Sequence, residues 1–208
     1  NHFELLGLPV RYAIDAKALD AAYRELQRSV HPDRHAASDD ASRRLALQAA
    51  ARVNEAYRTL ADPVGRAGYL LSLSGVEAFG ETDTALAFDF LERQLDRRER
   101  ASLAADAHDE SALEVLLDEV RGEAVATESM LAKLLDTDRR FAEARGRVRE
   151  LRFLSKLAED VDAMLADVGS ELHTNERRLY ASGFSNGAGM AARLAVDRSE
   201  TFAAVAFS

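Results

Sequence analysis

The chain has 208 residues, 47% of them apolar and 30% charged, enough for one large or two small hydrophobic cores. It contains no cysteine, which excludes a disulfide framework, a zinc ribbon and any metal cluster held on its own thiolates. No apolar run approaches the ~20 residues needed to cross a bilayer and no basic-then-apolar signal opens the sequence, so a protein of the reducing cytoplasm, away from membranes, is expected.

The formal net charge of −9 is unevenly spread. Residues 1–75 carry ten Lys/Arg against nine Asp/Glu, a net of +1, whereas residues 76–169 carry thirteen against twenty-three, a net of −10. Residues 170–208 carry four of each. The acidic middle region argues against a nucleic-acid partner, whose phosphates need clustered Lys and Arg.

In chain order, Phe3-Glu4-Leu5-Leu6-Gly7-Leu8-Pro9 looks like a short first helix and entry turn. Leu19, Ala22, Tyr23, Leu26 and Val30 recur at three and four residues and predict an amphipathic helix. Pro32 lacks an amide proton and biases His31 away from helical angles, so that helix should end there. A second amphipathic run follows, with Leu45, Ala49, Val53, Ala56, Tyr57 and Leu60 on one face. Lys17, Arg24 and Arg28, seven and four apart, share a separate basic face of the first helix, and Arg34 extends it into the loop. Most such charges merely solvate a helix, but a basic stripe can also steer an acidic partner. Leu60 and Asp62-Pro63 mark the end of that run, and Arg66-Ala67-Gly68-Tyr69-Leu70-Leu71 looks like a further short helix.

Gly75, Gly80 and a polar Glu-Thr-Asp stretch interrupt the helical period, placing a first domain at 1–75 and a linker at 76–83. Three helices are expected over 84–167. Phe88, Leu91, Leu95 and Leu103 mark the first; Leu113, Leu116, Leu117, Val120, Leu131, Leu134 and Leu135 the second, with Gly122 as a candidate break. Phe141, Val148, Leu151, Leu154, Val161 and Leu165 mark the third. Short polar connectors at Ala107–Glu110 and Asp136–Arg140 favour antiparallel neighbours, hence a three-helix bundle. Beyond Val168-Gly169 the pattern changes to a strand at Leu179–Ser185, a helix at Asn186–Val196 and a second strand at Phe202–Phe207.

The His31-Pro32-Asp33 tripeptide between two antiparallel helices, with Asn54-Glu55-Ala56-Tyr57 and Asp62-Pro63 after it, resembles the J-domain that stimulates the ATPase of Hsp70 chaperones. Phe90-Leu91 with Gln94-Leu95, and then Arg149–Leu157 (RELRFLSKL), resemble the C-terminal domain of the iron–sulfur co-chaperone HscB. Together the resemblances span about residues 2–167 and preserve the order of both domains. They imply a mainly all-α protein: a J-domain helical hairpin plus a C-terminal three-helix bundle, followed by a short α/β-like fragment. They further imply that His31, Pro32, Asp33, Lys17, Arg24, Arg28 and Arg34 dock on a specialised, HscA-like Hsp70. Asp33 suits a charge-assisted bond to a partner arginine. Leu91, Leu95 and Phe153, with the acidic Asp96 and Glu99, match positions that bind an IscU-like scaffold; any one of the three apolar residues would otherwise be read as core. Glu92 departs from the pattern, standing where such families often place an apolar residue. No catalytic residue, metal or cofactor is expected, because no nucleophile or ligand constellation accompanies the triad. A general J-protein with other clients is the neighbouring alternative.

Gly183-Phe184-Ser185-Asn186-Gly187 fits G-x-S-x-G, and residues 177–206 resemble the nucleophile-elbow segment of an α/β-hydrolase of the polyhydroxybutyrate depolymerase or feruloyl esterase type. The rival function is therefore an esterase built on Ser185. In that fold the acid and the histidine follow the serine, yet His2, His31, His35, His108 and His173 all precede it. Gly183, Ser185 and Gly187 are accordingly read as a vestigial elbow in an appended fragment, 168–208. Two strands and one helix are too few for the parallel sheet of that fold, so the strands are expected to pair weakly or lie on the bundle.

Overall fold

In the computed structural model, residues 1–30, 40–79, 86–172, 179–183 and 202–207 are described. Helix α1 (His2–Leu5) is capped by Asn1, whose side chain accepts from the Glu4 amide while Glu4 reaches back to Asn1. Helices α2 (Ala16–Val30) and α3 (Asp40–Ala61) follow, then α4 (Pro63–Leu73). The start of α4 is set by chemistry visible in the sequence: Asp62 accepts from the amides of Val64 and Gly65, and Pro63 occupies the first helical turn. Its end is set by Gly75, whose φ of 75° lets the Val76 amide fold back onto the Leu71 carbonyl at 2.9 Å.

The C-terminal helices are α5 (Phe88–Asp106), α6 (Glu110–Ala132), which closes in a π-helical turn (Lys133–Thr137), and α7 (Phe141–Leu172). Gly122 does not interrupt α6, contrary to the sequence reading. One glycine in a long helix costs only about 1 kcal/mol, and the buried Leu116, Leu117, Val120 and Leu131 flanking it hold the helix in place. The architecture is mainly all-α, as expected, with a short parallel strand pair near the C-terminus.

The molecule divides into two compact units. The first comprises Asn1–Arg97 and Asp118–Ala158, the second Arg98–Leu117 and Glu159–Ser208. In the first, one continuous core joins Phe3, Leu6, Tyr12, Leu19, Ala56, Leu60, Ala67 and Leu71 to Leu131, Leu134, Leu135, Ala144, Val148 and Leu151. The α2–α3 pairing within it rests on stacked Tyr23 and Tyr57 rings, 4.1 Å between centroids. Leu45, placed by periodicity on the apolar face of α3, is instead exposed, and neighbouring Ala46 is buried. In the second unit, Ala101, Ala104, Leu113, Leu116, Leu117, Val161 and Val168 are buried.

Strands β1 (Leu179–Gly183) and β2 (Phe202–Phe207) pair in parallel, with Tyr180 opposite Ala204 and Gly183 opposite Phe207 and a register shift between Leu179 and Tyr180. Among the described residues these two strands form the sheet. The helix expected at 186–196, with Ser185 and Gly187, lies outside the described residues.

Candidate functional site

Two surfaces carry the candidate residues. On α2, Lys17, Arg24 and Arg28 are all exposed and fall on one stripe of the helix. The stripe is ordered: Arg24 Nε donates to the Asp20 carbonyl at 3.2 Å, Arg28 Nε donates to the Arg24 carbonyl at 3.2 Å, and the Arg28 guanidinium donates to Glu25 at 2.8 Å. Beneath it, the Tyr57 hydroxyl donates to Asp20 Oδ1 at 2.9 Å and the Tyr23 hydroxyl to Asn54 Oδ1 at 2.9 Å. The hydrogen bond to Asp20 holds the Tyr57 hydroxyl above its ordinary pKa, with burial adding to the effect. These bonds fix α2 against α3 and so set where the basic stripe faces. His31, Pro32, Asp33 and Arg34 lie outside the described residues.

The second surface is on α5, where the structure corrects the periodicity reading. Phe88, Leu91, Leu95 and Leu103 are not core: all are exposed. The buried face holds Phe90, Gln94, Arg97, Ala101 and Ala104. The reason is an ion cluster that the helix's own pattern does not reveal. Arg97, 5% exposed, donates to Glu119 at 2.9 Å and pairs with Glu123 at 2.6 Å. Burial opposes its charge, but the hydrogen bonds it donates to Glu123 and Glu119 outweigh that and raise its pKa. Phe90 meets Phe153 of α7 edge-on, at 5.9 Å and 84°. Phe153 is therefore half-buried against the bundle, while Leu91 and Leu95 stand clear of it. Asp96 and Glu99 are exposed further along the same helix, as is Glu92.

A third group of residues joins the α1–α4 region to α6 and α7, and no motif announced it. Asp136, in the π-helical turn, accepts from the amides of Tyr12 at 2.6 Å and Ala13 at 2.9 Å, and Arg149 Nε donates to the Ala78 carbonyl at 2.9 Å. Arg66 lies over the Tyr12 ring at 4.8 Å and donates to the Leu60 carbonyl at 2.7 Å. Burial pushes the Tyr12 hydroxyl well above its ordinary pKa and also raises that of Glu128, the latter against the pull of Arg66. From sequence, Asp136 was only one charge in a polar connector.

Among the described residues there is no cluster of three or more His, Cys, Asp or Glu side chains placed to hold a metal, and no helix is long and apolar enough to cross a membrane.

Comparison with known proteins agrees with that arrangement. Residues 1–69 match the DnaJ domain family and residues 87–162 the HSCB C-terminal oligomerisation domain family. The co-chaperone protein HscB homolog of Burkholderia multivorans is 48% identical over 167 residues, which cover 79% of this chain and 94% of that protein. The chain belongs to the HscB co-chaperone family. The homolog of Burkholderia thailandensis is 47% identical over the same coverage. Among solved structures, chaperone HscB from Vibrio cholerae aligns with a TM-score of 0.73 at 33% identity, covering 81% of this chain and 99% of that one. Human co-chaperone protein HscB aligns with a TM-score of 0.72 at 26% identity, over 78% of this chain and 81% of that one.

Proposed function

We propose that this chain stimulates the ATPase of a specialised, HscA-like Hsp70 and delivers to it an IscU-like iron–sulfur scaffold protein, acting in the cytoplasm and catalysing no reaction itself. Its working parts are a J-domain at 1–75, a linker at 76–83 and a scaffold-binding bundle at 84–167. The observation that carries the reading is α5: in a chain whose two family matches fall in HscB order, Leu91 and Leu95 face outward while Gln94 and Arg97 face the core. Apolar side chains left bare on a rigid helix are the usual centre of a protein interface.

The J-domain supplies the other contact. His31, Pro32 and Asp33 engage the chaperone's ATPase domain, and Lys17, Arg24, Arg28 and Arg34 steer the approach, raising the association rate more than the affinity. Leu91, Leu95 and Phe153 with Asp96 and Glu99 hold the scaffold. Single-turnover ATP hydrolysis by the Hsp70 tests the first half. His31→Gln is expected to abolish stimulation with an unchanged helical circular dichroism signal, and normal stimulation by that variant would refute the docking role. A pull-down with the scaffold separates this reading from a general J-protein with other clients.

Residues 177–206 are read as an appended segment of α/β-hydrolase type and not as a working esterase. Supporting the α/β-hydrolase type, β1 and β2 pair in parallel. Hydrolysis of a p-nitrophenyl ester that is lost in Ser185→Ala would overturn it.

A further inference from the structure

The apolar stripe on α5 extends one turn further than the resemblance indicated. Phe88 is 80% exposed, Leu95 69% and Leu91 38%. Spacings of three and four put the three on one helix face, spanning about 10 Å along the axis. Phe88 is not a core residue displaced by a small rotation. Turning α5 to bury it would bring out Phe90, which packs edge-on against Phe153, and would pull Arg97 away from Glu119 and Glu123. The contacts that anchor the inner face thus hold the phenyl ring outward.

One edge of the stripe is acidic: Glu92, Asp96 and Glu99 are exposed there, while Arg98 is exposed at the other edge. Arg93, on the flank of the helix, is engaged by Asp89 at 3.4 Å and by Glu123 at 3.7 Å, and lies 5.9 Å from the Phe90 ring centroid. An apolar centre edged by carboxylates is complemented by an apolar depression edged by Lys or Arg. We infer that Phe88 is a third apolar anchor of the α5 docking face, and that its occupant is the iron–sulfur scaffold protein, which receives the ring in an apolar pocket with basic side chains along the edge that meets Glu92, Asp96 and Glu99. This rests on the scaffold reading above and adds a residue and a surface chemistry to it.

The test is calorimetric titration of the full chain with the iron–sulfur scaffold protein, comparing wild type, Phe88→Ala, Phe88→Leu and the Leu91→Ala/Leu95→Ala double variant. Phe88→Ala is expected to raise Kd about tenfold, with partial recovery in Phe88→Leu and no change in Tm. Added salt is expected to slow association of every variant, through the acidic edge. Wild-type affinity in Phe88→Ala alongside weakened binding in the double variant would overturn the anchor and leave the scaffold reading standing. Wild-type affinity in both would overturn the two together. A Tm lowered by several degrees in Phe88→Ala would return the residue to the core and also overturn the anchor.

Discussion

The backbone amide of Tyr12 donates to the carboxylate of Asp136 at 2.6 Å, joining positions 124 residues apart. The second carboxylate oxygen takes the Ala13 amide at 2.9 Å, and Arg11 Nε lies 3.8 Å from it. One side chain in the π-helical turn thereby closes the loop before α2. Asp136→Ala is expected to cost about 2 kcal/mol, since hydrogen bonds to charged groups contribute ~1.5–3 kcal/mol and a part-buried amide is left without an acceptor. Asp136→Asn, which keeps one acceptor oxygen, should cost less. Urea unfolding measures both, and equal losses in the two variants would remove the special role of the paired oxygens.

The Arg97 cluster should respond asymmetrically. The Arg97 side chain is 6% exposed, whereas those of Glu119 and Glu123 are 41% and 28% exposed. Removing the arginine leaves carboxylates that water can still reach; removing both carboxylates strands a buried cation. Arg97→Met is therefore expected to cost about 1–2 kcal/mol and Glu119→Gln/Glu123→Gln about 3–5 kcal/mol. Thermal unfolding of the two variants at one pH checks the order.

Glu128 gives a pH dependence of known sign. Burial raises its pKa above the ordinary 4.5, partly offset by Arg66 and reinforced by Asp62. The folded protein thus holds this proton more tightly than the unfolded chain does. Its contribution to stability is fully present below the ordinary value and is lost as pH rises through the raised one. Glu128→Gln should accordingly raise Tm at neutral pH, by the equivalent of less than about 1 kcal/mol given partial solvent screening. The difference from wild type should shrink as pH falls toward 4.5. A Tm advantage that grew on acidification would contradict the assignment.

Truncation after Leu172, where α7 ends, should leave ATPase stimulation and scaffold binding unchanged. The residues proposed for those activities lie on α2, α5 and α7 before Leu172 and at positions 31–34. Loss of either activity in the truncated chain would show that the C-terminal segment takes part.

Much of this was legible from residue order. The apolar faces of α6 and α7 were read correctly, because Leu113, Leu116, Leu117, Val120, Leu131, Val148, Leu151, Leu154 and Val161 recur at the helical period and are all buried. The end of α4 was legible in Gly75, a local device whose geometry needs no distant partner, whereas Asp62-Pro63 was read only as the end of α3 and proves also to cap α4. The family resemblance, and with it the candidate residues, also lay in linear motifs. The orientation of α5 did not. Its most apolar stripe, Phe88, Leu91 and Leu95, faces outward, and its inner face carries Gln94 and Arg97. Periodicity places hydrophobic residues inside by default, and that default fails where a buried charge is neutralised by carboxylates twenty-two and twenty-six residues away in sequence. The same holds for Asp136, an ordinary connector charge until folding brings the Tyr12 and Ala13 amides to it. Local chemistry determined where the helices begin, end and show an apolar face; only tertiary pairing of charges and amides decided which way α5 turns, because the partners that make a buried polar group tolerable come from other helices.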